Sequence, residues 1–378
     1  MARQSRPTAR PRTVRTAGLA ALLLVALAGA PRVHAQSSVA GTVISNGGTF
    51  NPAGDAVDSA GDIFVPDCFD NIPGTSTDCS TAQNGVYKLT PDGSGGYTTA
   101  RIASDTNDPG NAAVDSAGTV FVADYFNSRL VTLTPDANGT TYAEHTVSGF
   151  NRPDGVAVAR DRFGNLYVAD NGNGAIYKLT PTAGGGYNRS VIATIANAFG
   201  VAVDAAGNVF VVDSTTDALN NVFKISPLSG GDYGPPVQIT TTALPAESLA
   251  LDGAGVLYLP DLTGHNATVY TLTPNANGTA YTPSSFDVSG VGTFQSEGIA
   301  VAPSGNIFIS DTFASTNGDG NRLIEVTGAA SGATGYTPPP TGAATPELGS
   351  GELLATGLLP LGLVVLARRR RARRSRQQ

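Results

Sequence analysis

The sequence predicts an all-β protein assembled from repeated small sheets, and three observations carry that prediction. Only 14% of the 378 residues are charged, while 46 are Gly and 24 are Pro. Ala, Val, Thr, Asp and Asn are abundant, a composition that favours strands and tight turns over helices. One unit also recurs: an apolar strand, a tight turn, and a second strand ending in Asp. With 41% apolar residues and 2 Cys, the chain is neither disordered nor a disulfide-built miniprotein.

The first two strands of the unit read AVDSAGDIFVPD (56–67), AVDSAGTVFVAD (113–124), AVARDRFGNLYVAD (157–170), AVDAAGNVFVVD (202–213), ALDGAGVLYLPD (250–261) and AVAPSGNIFISD (300–311). The closing residues Asp67, Asp124, Asp170, Asp213, Asp261 and Asp311 lie 43 to 57 residues apart. A third strand follows in each copy: 86–91, 130–135, 176–181, 222–227, 269–274 and 323–328. Its alternation places one face in a core. A Gly- and Asn-rich turn comes next, tolerant of positive φ. Tyr97, Tyr142, Tyr187, Tyr233 and Tyr281 then open a fourth strand. Four strands in each of six units predict a six-bladed β-propeller over residues 36–328. In the last unit Pro338, Pro339 and Pro340 forbid the fourth strand. Residues 43–51 resemble Val147-Ser148-Gly149-Phe150-Asn151, the fourth strand of the second unit and its exit, and residues 40–46 are expected to close the ring in its place.

The repeats resemble the NHL family of propellers. The likeness rests on Pro153-Asp154-Gly155-Val156-Ala157-Val158 with Gly164-Asn165-Leu166-Tyr167-Val168-Ala169-Asp170, on Asp124 with Asn127-Ser128-Arg129-Leu130, and on Asp311 with Asn321-Arg322-Leu323. Units one, four and five lack the Asn-x-Arg part. The resemblance implies a fold shared by enzymes and binding proteins.

Strand direction places the loops between second and third strands on the same face as the entry to each first strand. Those loops are long and variable, as binding loops are. The first strands begin at Ala53, Gly110, Asp154, Phe199, Glu247 and Glu297, with Asp55 and Asn111 close by. Asp154, Glu247, Glu297, Asn111 and Asp55 are therefore the expected binding residues at the channel mouth. The first three are the expected ligands of a Ca²⁺ ion, such as lactonase-like and lyase-like propellers use. The six closing Asp residues are read as structural acceptors of backbone N–H groups in the following turn. Cys68 and Cys79 share the longest loop and are expected to form a disulfide. His145 and His265 are too few and too distant for a histidine-rich metal site. No G-x-S-x-G elbow or phosphate-binding loop is present.

The two ends read as addresses. Residues 1–35 match a secretory signal, with five Arg before the apolar run 17–30 and Val33-His34-Ala35 as a cleavage site. Residues 329–345 form a Gly/Ala/Thr/Pro linker. Residues 346–378 combine Pro346-Glu347, the apolar run Leu353–Ala367 and the basic cluster Arg368–Arg374. This arrangement resembles bacterial PEP-CTERM and sortase sorting signals, with Leu348 in place of the second Pro of Pro-Glu-Pro. It implies a body held outside the membrane through its C-terminal segment.

Residues 36–345 hold 10 Lys and Arg against 28 Asp and Glu, a balance of −18 that disfavours nucleic acid. The expected function is a non-catalytic, surface-tethered module that binds an extracellular protein, peptide or glycan. The alternative is an exported Ca²⁺-dependent lactonase or lyase of the gluconolactonase kind.

Overall fold

The computed structural model describes residues 35–45, 52–67, 84–158, 164–214, 220–240, 242–264, 266–312 and 321–330. The signal segment, the Cys68–Cys79 pair, His265, and nearly all of the linker and sorting segment lie outside the described residues. Among the described residues every regular element is a strand, and no helix is long and apolar enough to cross a membrane.

The first strand, β1 (Ala35–Ser45), stands apart from the repeats. The first sheet holds β2 (Ala56–Val57), β3 (Ile63–Asp67), β4 (Gly85–Pro91) and β5 (Tyr97–Ala103). The second holds β6 (Pro109–Val114), β7 (Val120–Asp124), β8 (Arg129–Pro135) and β9 (Tyr142–Val147). The third holds β10 (Pro153–Val158), β11 (Leu166–Asp170), β12 (Ala175–Pro181) and β13 (Tyr187–Thr194). The fourth holds β14 (Ala198–Val203), β15 (Val209–Asp213), β16 (Asn221–Ile225) and β17 (Val237–Gln238). The remaining strands are β18 (Ala250–Leu251), β19 (Leu257–Pro260), β20 (Thr268–Pro274), β21 (Tyr281–Ser289), β22 (Ser296–Val301), β23 (Ile307–Asp311) and β24 (Arg322–Val326). They join β1 in one eight-stranded sheet, ordered β18-β19-β20-β21-β1-β24-β23-β22.

The closing strand behaves as expected and reaches further. Gly41–Ser45 pairs antiparallel with β24, in the place of a fourth strand. The preceding stretch, Ala35–Ala40, pairs parallel with β21 of the neighbouring repeat. One strand thus covers two edges. The first strands touch in a cycle, β2 to β6, β10, β14, β18, β22 and back to β2, so they surround an axis.

Second strands are buried along their whole length, whereas fourth strands are largely exposed. That gradient is what sheets radiating from an axis produce. The recurring Tyr is a spacer between sheets: Tyr142 meets Phe64 edge-on at 6.4 Å and Tyr281 meets Phe210 at 6.0 Å. Lysines bind the same seams. Lys224 lies over Phe210 and Tyr281 and donates to the Gly278 carbonyl at 2.8 Å. The tight turns are closed by Asp side chains. At the second repeat Asp115 Oδ1 accepts the N–H groups of Ala117 and Thr119, and Gly118 takes φ +80°.

One expectation is corrected. Tyr233 does not open a full fourth strand, because Pro235 and Pro236 follow it and offer no N–H. Tyr233 forms only a bridge to Pro227, and β17 shrinks to two residues.

Candidate functional site

The starts of the first strands meet at one end of the axis. Ala53, Gly54, Gly110, Asn111, Asp154, Phe199, Glu247 and Glu297 line a single cavity of about 10 Å³, room for roughly one water. The six positions aligned from the sequence therefore share one rim. The cavity is small because the inner strands nearly touch. A Cβ at Gly110, Gly155 or Gly298 would run into the carbonyl oxygen of Asp154, Phe199 or Ala53. Backbone bonds even cross between sheets, from Gly200 N to Glu247 O at 2.9 Å and from Ala112 N to Gly54 O at 3.3 Å.

Two side-chain bonds shape the mouth. Ser248 Oγ donates to Asn111 Oδ1 at 3.2 Å, although the two residues are 137 positions apart. Ser214 Oγ donates to Glu247 Oε1 at 3.2 Å. Asp154, Glu247 and Glu297, the expected Ca²⁺ ligands, line this one cavity, and among the described residues no three His, Cys, Asp or Glu side chains form a group arranged to hold a metal ion. The donor set as folded does not fit a Ca²⁺ ion, which needs six to eight converging oxygens.

Asp55 lies elsewhere than expected. It lines a separate, larger channel of about 340 Å³ that begins beyond the glycine constriction. Asp55 is 5% exposed, and Ser310 Oγ donates to its Oδ1 at 2.6 Å. Burial pushes its carboxyl up to about 7, against the smaller opposing effect of the Ser310 bond. The folded protein therefore holds a proton at Asp55 that the unfolded chain releases near 3.8. Stability linked to this group is full below about pH 4 and is lost as the pH rises to about 7. The integrated loss is roughly 4 kcal/mol. In denaturant titrations the wild type should lose stability relative to Asp55→Asn across that window. A difference between the two proteins that is flat with pH would contradict this assignment.

The closing Asp residues are buried at sheet ends. The expected N–H donor in the following turn is found at Asp261, which accepts Thr263 N at 2.6 Å. At Asp124, Asp170 and Asp311 the backbone donor instead lies on the loop entering the same sheet's first strand: Asn107, Asn151 and Gln295. Each of these carboxylates therefore ties the end of a second strand to the entry of a first strand. Arg129 and Arg322 complete the grip on Asp124 and Asp311 at 2.7 and 2.9 Å. Unit three lacks that Arg, since Ala175 stands there. Arg189 of β13 supplies charge near Asp170 instead and donates to the Gly149 carbonyl. Burial pushes Asp170 up to about 6. Asp67 and Asp213 occupy the same strand ends. His145 is exposed on β9.

Sequence reasoning missed the Asn111–Ser248 bond, which joins distant repeats and leaves no local pattern. It also missed the Asp55–Ser310 pair, although a signal existed. Asp55 aligns with Ala112, Val156, Val201, Leu249 and Ile299, and Ser310 with Ala123, Ala169 and Val212. Both are polar exceptions in apolar rings.

The chain matches no protein-family model and no curated protein sequence. Solved structures do share its fold. A gluconolactonase from Xanthomonas campestris matches with TM-score 0.53 at 14% identity, over 76% of this chain and 89% of its own. The PQQ-bound aldose sugar dehydrogenase of Streptomyces coelicolor matches with TM-score 0.53 at 18% identity, over 78% and 99%. The PQQ domain of pyranose dehydrogenase from Coprinopsis cinerea matches with TM-score 0.53 at 14% identity, over 79% and 99%. The fold is that of the β-propellers. The expectation of a non-catalytic module is corrected by this finding, since the neighbours in fold are a lactonase and sugar dehydrogenases. At these identities the likeness carries the fold, and the chemistry must be argued from the residues.

Proposed function

We propose that this chain is a six-bladed, NHL-like propeller enzyme of lactonase or lyase type, acting on a small hydroxylated substrate at the mouth. The observation that carries the reading is the gathering of Asn111, Asp154, Glu247 and Glu297 on one rim. Carboxylates there suit hydroxyl groups, which donate to them, and Phe199 offers an apolar face to a sugar-like ring. The Asn111 amide N–H is suited to a carbonyl oxygen on which charge develops. In lactone hydrolysis a carboxylate takes a proton from water as the water oxygen bonds to the acyl carbon. The ring C–O bond then breaks, and the departing alkoxide recovers the proton. Substrate entry replaces the bond between Ser248 and Asn111. The charge pattern of residues 1–35 and 346–378 supports export with the body tethered outside the membrane.

The test is turnover of an aldonolactone panel by the full chain, with and without EDTA and added Ca²⁺. Asp154→Asn and Glu297→Gln should each reduce kcat/KM by about 10²-fold or more. A panel untouched by the wild type, or turned over equally by both variants, would sink the reading. Activity lost to EDTA and restored by Ca²⁺ would show that the mouth rearranges around an ion.

A further inference from the structure

The mouth of about 10 Å³ and the channel of about 340 Å³ are separate cavities, although the same six inner strands surround both. One ring of equivalent positions divides them: Gly54, Asn111, Gly155, Gly200, Ser248 and Gly298. Residues just before this ring, such as Gly110, Asp154 and Glu247, line the mouth. Residues just after it, such as Ala112, Val156 and Leu249, line the channel. The channel then runs out to the exposed turn residues Ser59, Ser116 and Gly253.

Four of the six ring positions are glycine, and the fold uses the space this leaves. A Cβ at Gly155, Gly200 or Gly298 would meet the backbone of the next repeat, and one at Gly54 would meet the Asn111 side chain. The two positions that keep a side chain are joined to each other, since Ser248 Oγ donates to Asn111 Oδ1 at 3.2 Å. They belong to the second and fifth repeats. The cycle of first strands sets β6 and the start of the fifth repeat opposite one another, with two repeats between them on either side. The bond therefore crosses the axis. Two side chains and the bond between them fill the span, so backbone alone does not close it. Neighbouring sheets are already joined at this level by backbone bonds, Gly54 N to Gly110 O at 3.4 Å and Gly200 N to Glu247 O at 2.9 Å. Ser248 is 2% exposed, and a buried hydroxyl must find a partner where glycine needs none. The other four repeats fold with glycine here, so holding the sheets together does not account for the pair.

We propose that Asn111 and Ser248 form a plug across the axis that sets the depth of the mouth. With the plug in place, a ligand at the mouth ends at this ring. With the plug withdrawn, the mouth runs into the channel, and a chain attached to the ligand passes through. The pair thereby determines specificity, favouring a compact ligand over one that carries a chain. The plug stands on the geometry of the ring, whereas its role in selecting a sugar-like ligand rests on the reading of the mouth given above.

The experiment has two arms. In the first, crystals of the full chain and of the Asn111→Gly/Ser248→Gly double variant are soaked in triethylene glycol, a linear probe. The variant carries at both positions the residue of the other four and should melt within about 5 °C of the wild type. In the wild type the probe should stay on one side of the ring, and in the variant one probe molecule should thread it. Asn111→Gly alone removes the larger half of the plug and should give the same result if the double variant fails to fold. A wild type threaded by the probe, or variants with no probe through the ring, overturns the proposal. The second arm is calorimetric titration with methyl and n-hexyl β-D-glucoside. The preference for the hexyl over the methyl compound should rise by about tenfold or more in the variant. An unchanged preference overturns the specificity role. Binding of neither glucoside by either protein counts against the sugar-like reading of the mouth, and the soaked crystals then decide the plug by themselves.

Discussion

Deleting residues 35–45 should lower the melting temperature by roughly 10 °C or more and promote self-association. The loss has two parts. Gly41–Ser45 forms the ladder with β24, and Ala35–Ala40 pairs with β21, so the deletion bares two strand edges at once. Val39 and Val43 also pack on the cluster that includes Val288, Val291 and Ile324, and Ile44 packs on the one with Phe308 and Leu323. Each apolar side chain returned to water costs about 1.5–3 kcal/mol when fully buried, somewhat less at partial burial. Gly41 provides an independent check, because a Cβ there would collide with Val288 and Val291. Gly41→Val should therefore reproduce part of the loss without removing any chain. Circular-dichroism melts and size-exclusion profiles read both effects. A truncated protein that melts with the wild type would contradict closure by this strand.

Asp311→Ala should destabilise the fold by about 3–5 kcal/mol, among the largest effects of any single substitution in this chain. Arg322 is 5% exposed, with its Nε 2.9 Å from Asp311 Oδ2. Removing the carboxylate leaves that guanidinium buried with, among the described residues, the Thr293 carbonyl at its Nη2 as its remaining acceptor. It also orphans Gln295 N, which donates to Asp311 Oδ1 at 3.0 Å. Asp124→Ala is the instructive comparison. Its partner Arg129 also lies within 3.3 Å of Asp105 and 3.7 Å of Glu144, so the charge stays partly compensated. Urea denaturation should rank Asp311→Ala as clearly more damaging than Asp124→Ala. Equal losses would argue that the backbone acceptor role, common to both, dominates over the buried charge.

Much of this architecture is legible in the residues themselves. The alternation in VYKLTP and the Asp-x-x-Gly turns are local features, and local features repeat when the structural unit repeats. The same logic placed Ala53, Gly110, Asp154, Phe199, Glu247 and Glu297 on a common rim, because equivalent positions in a cyclic array face a common axis. Where the local signal was broken, as by Pro235 and Pro236, the expected strand shrank to two residues.

The sequence by itself determined the strand repeat, the turn chemistry and the closing role of the N-terminal strand, since each depends on residues close together in the chain or on pairing along an exposed edge. Tertiary structure alone decided how tightly the axis closes, that Asn111 meets Ser248 across repeats, and that Asp55 pairs with Ser310 in a buried seam apart from Asp154. Those outcomes depend on ångström-scale approach between strands distant in sequence. At that scale a single glycine or hydroxyl settles which side chains meet, and no periodicity along the chain records it.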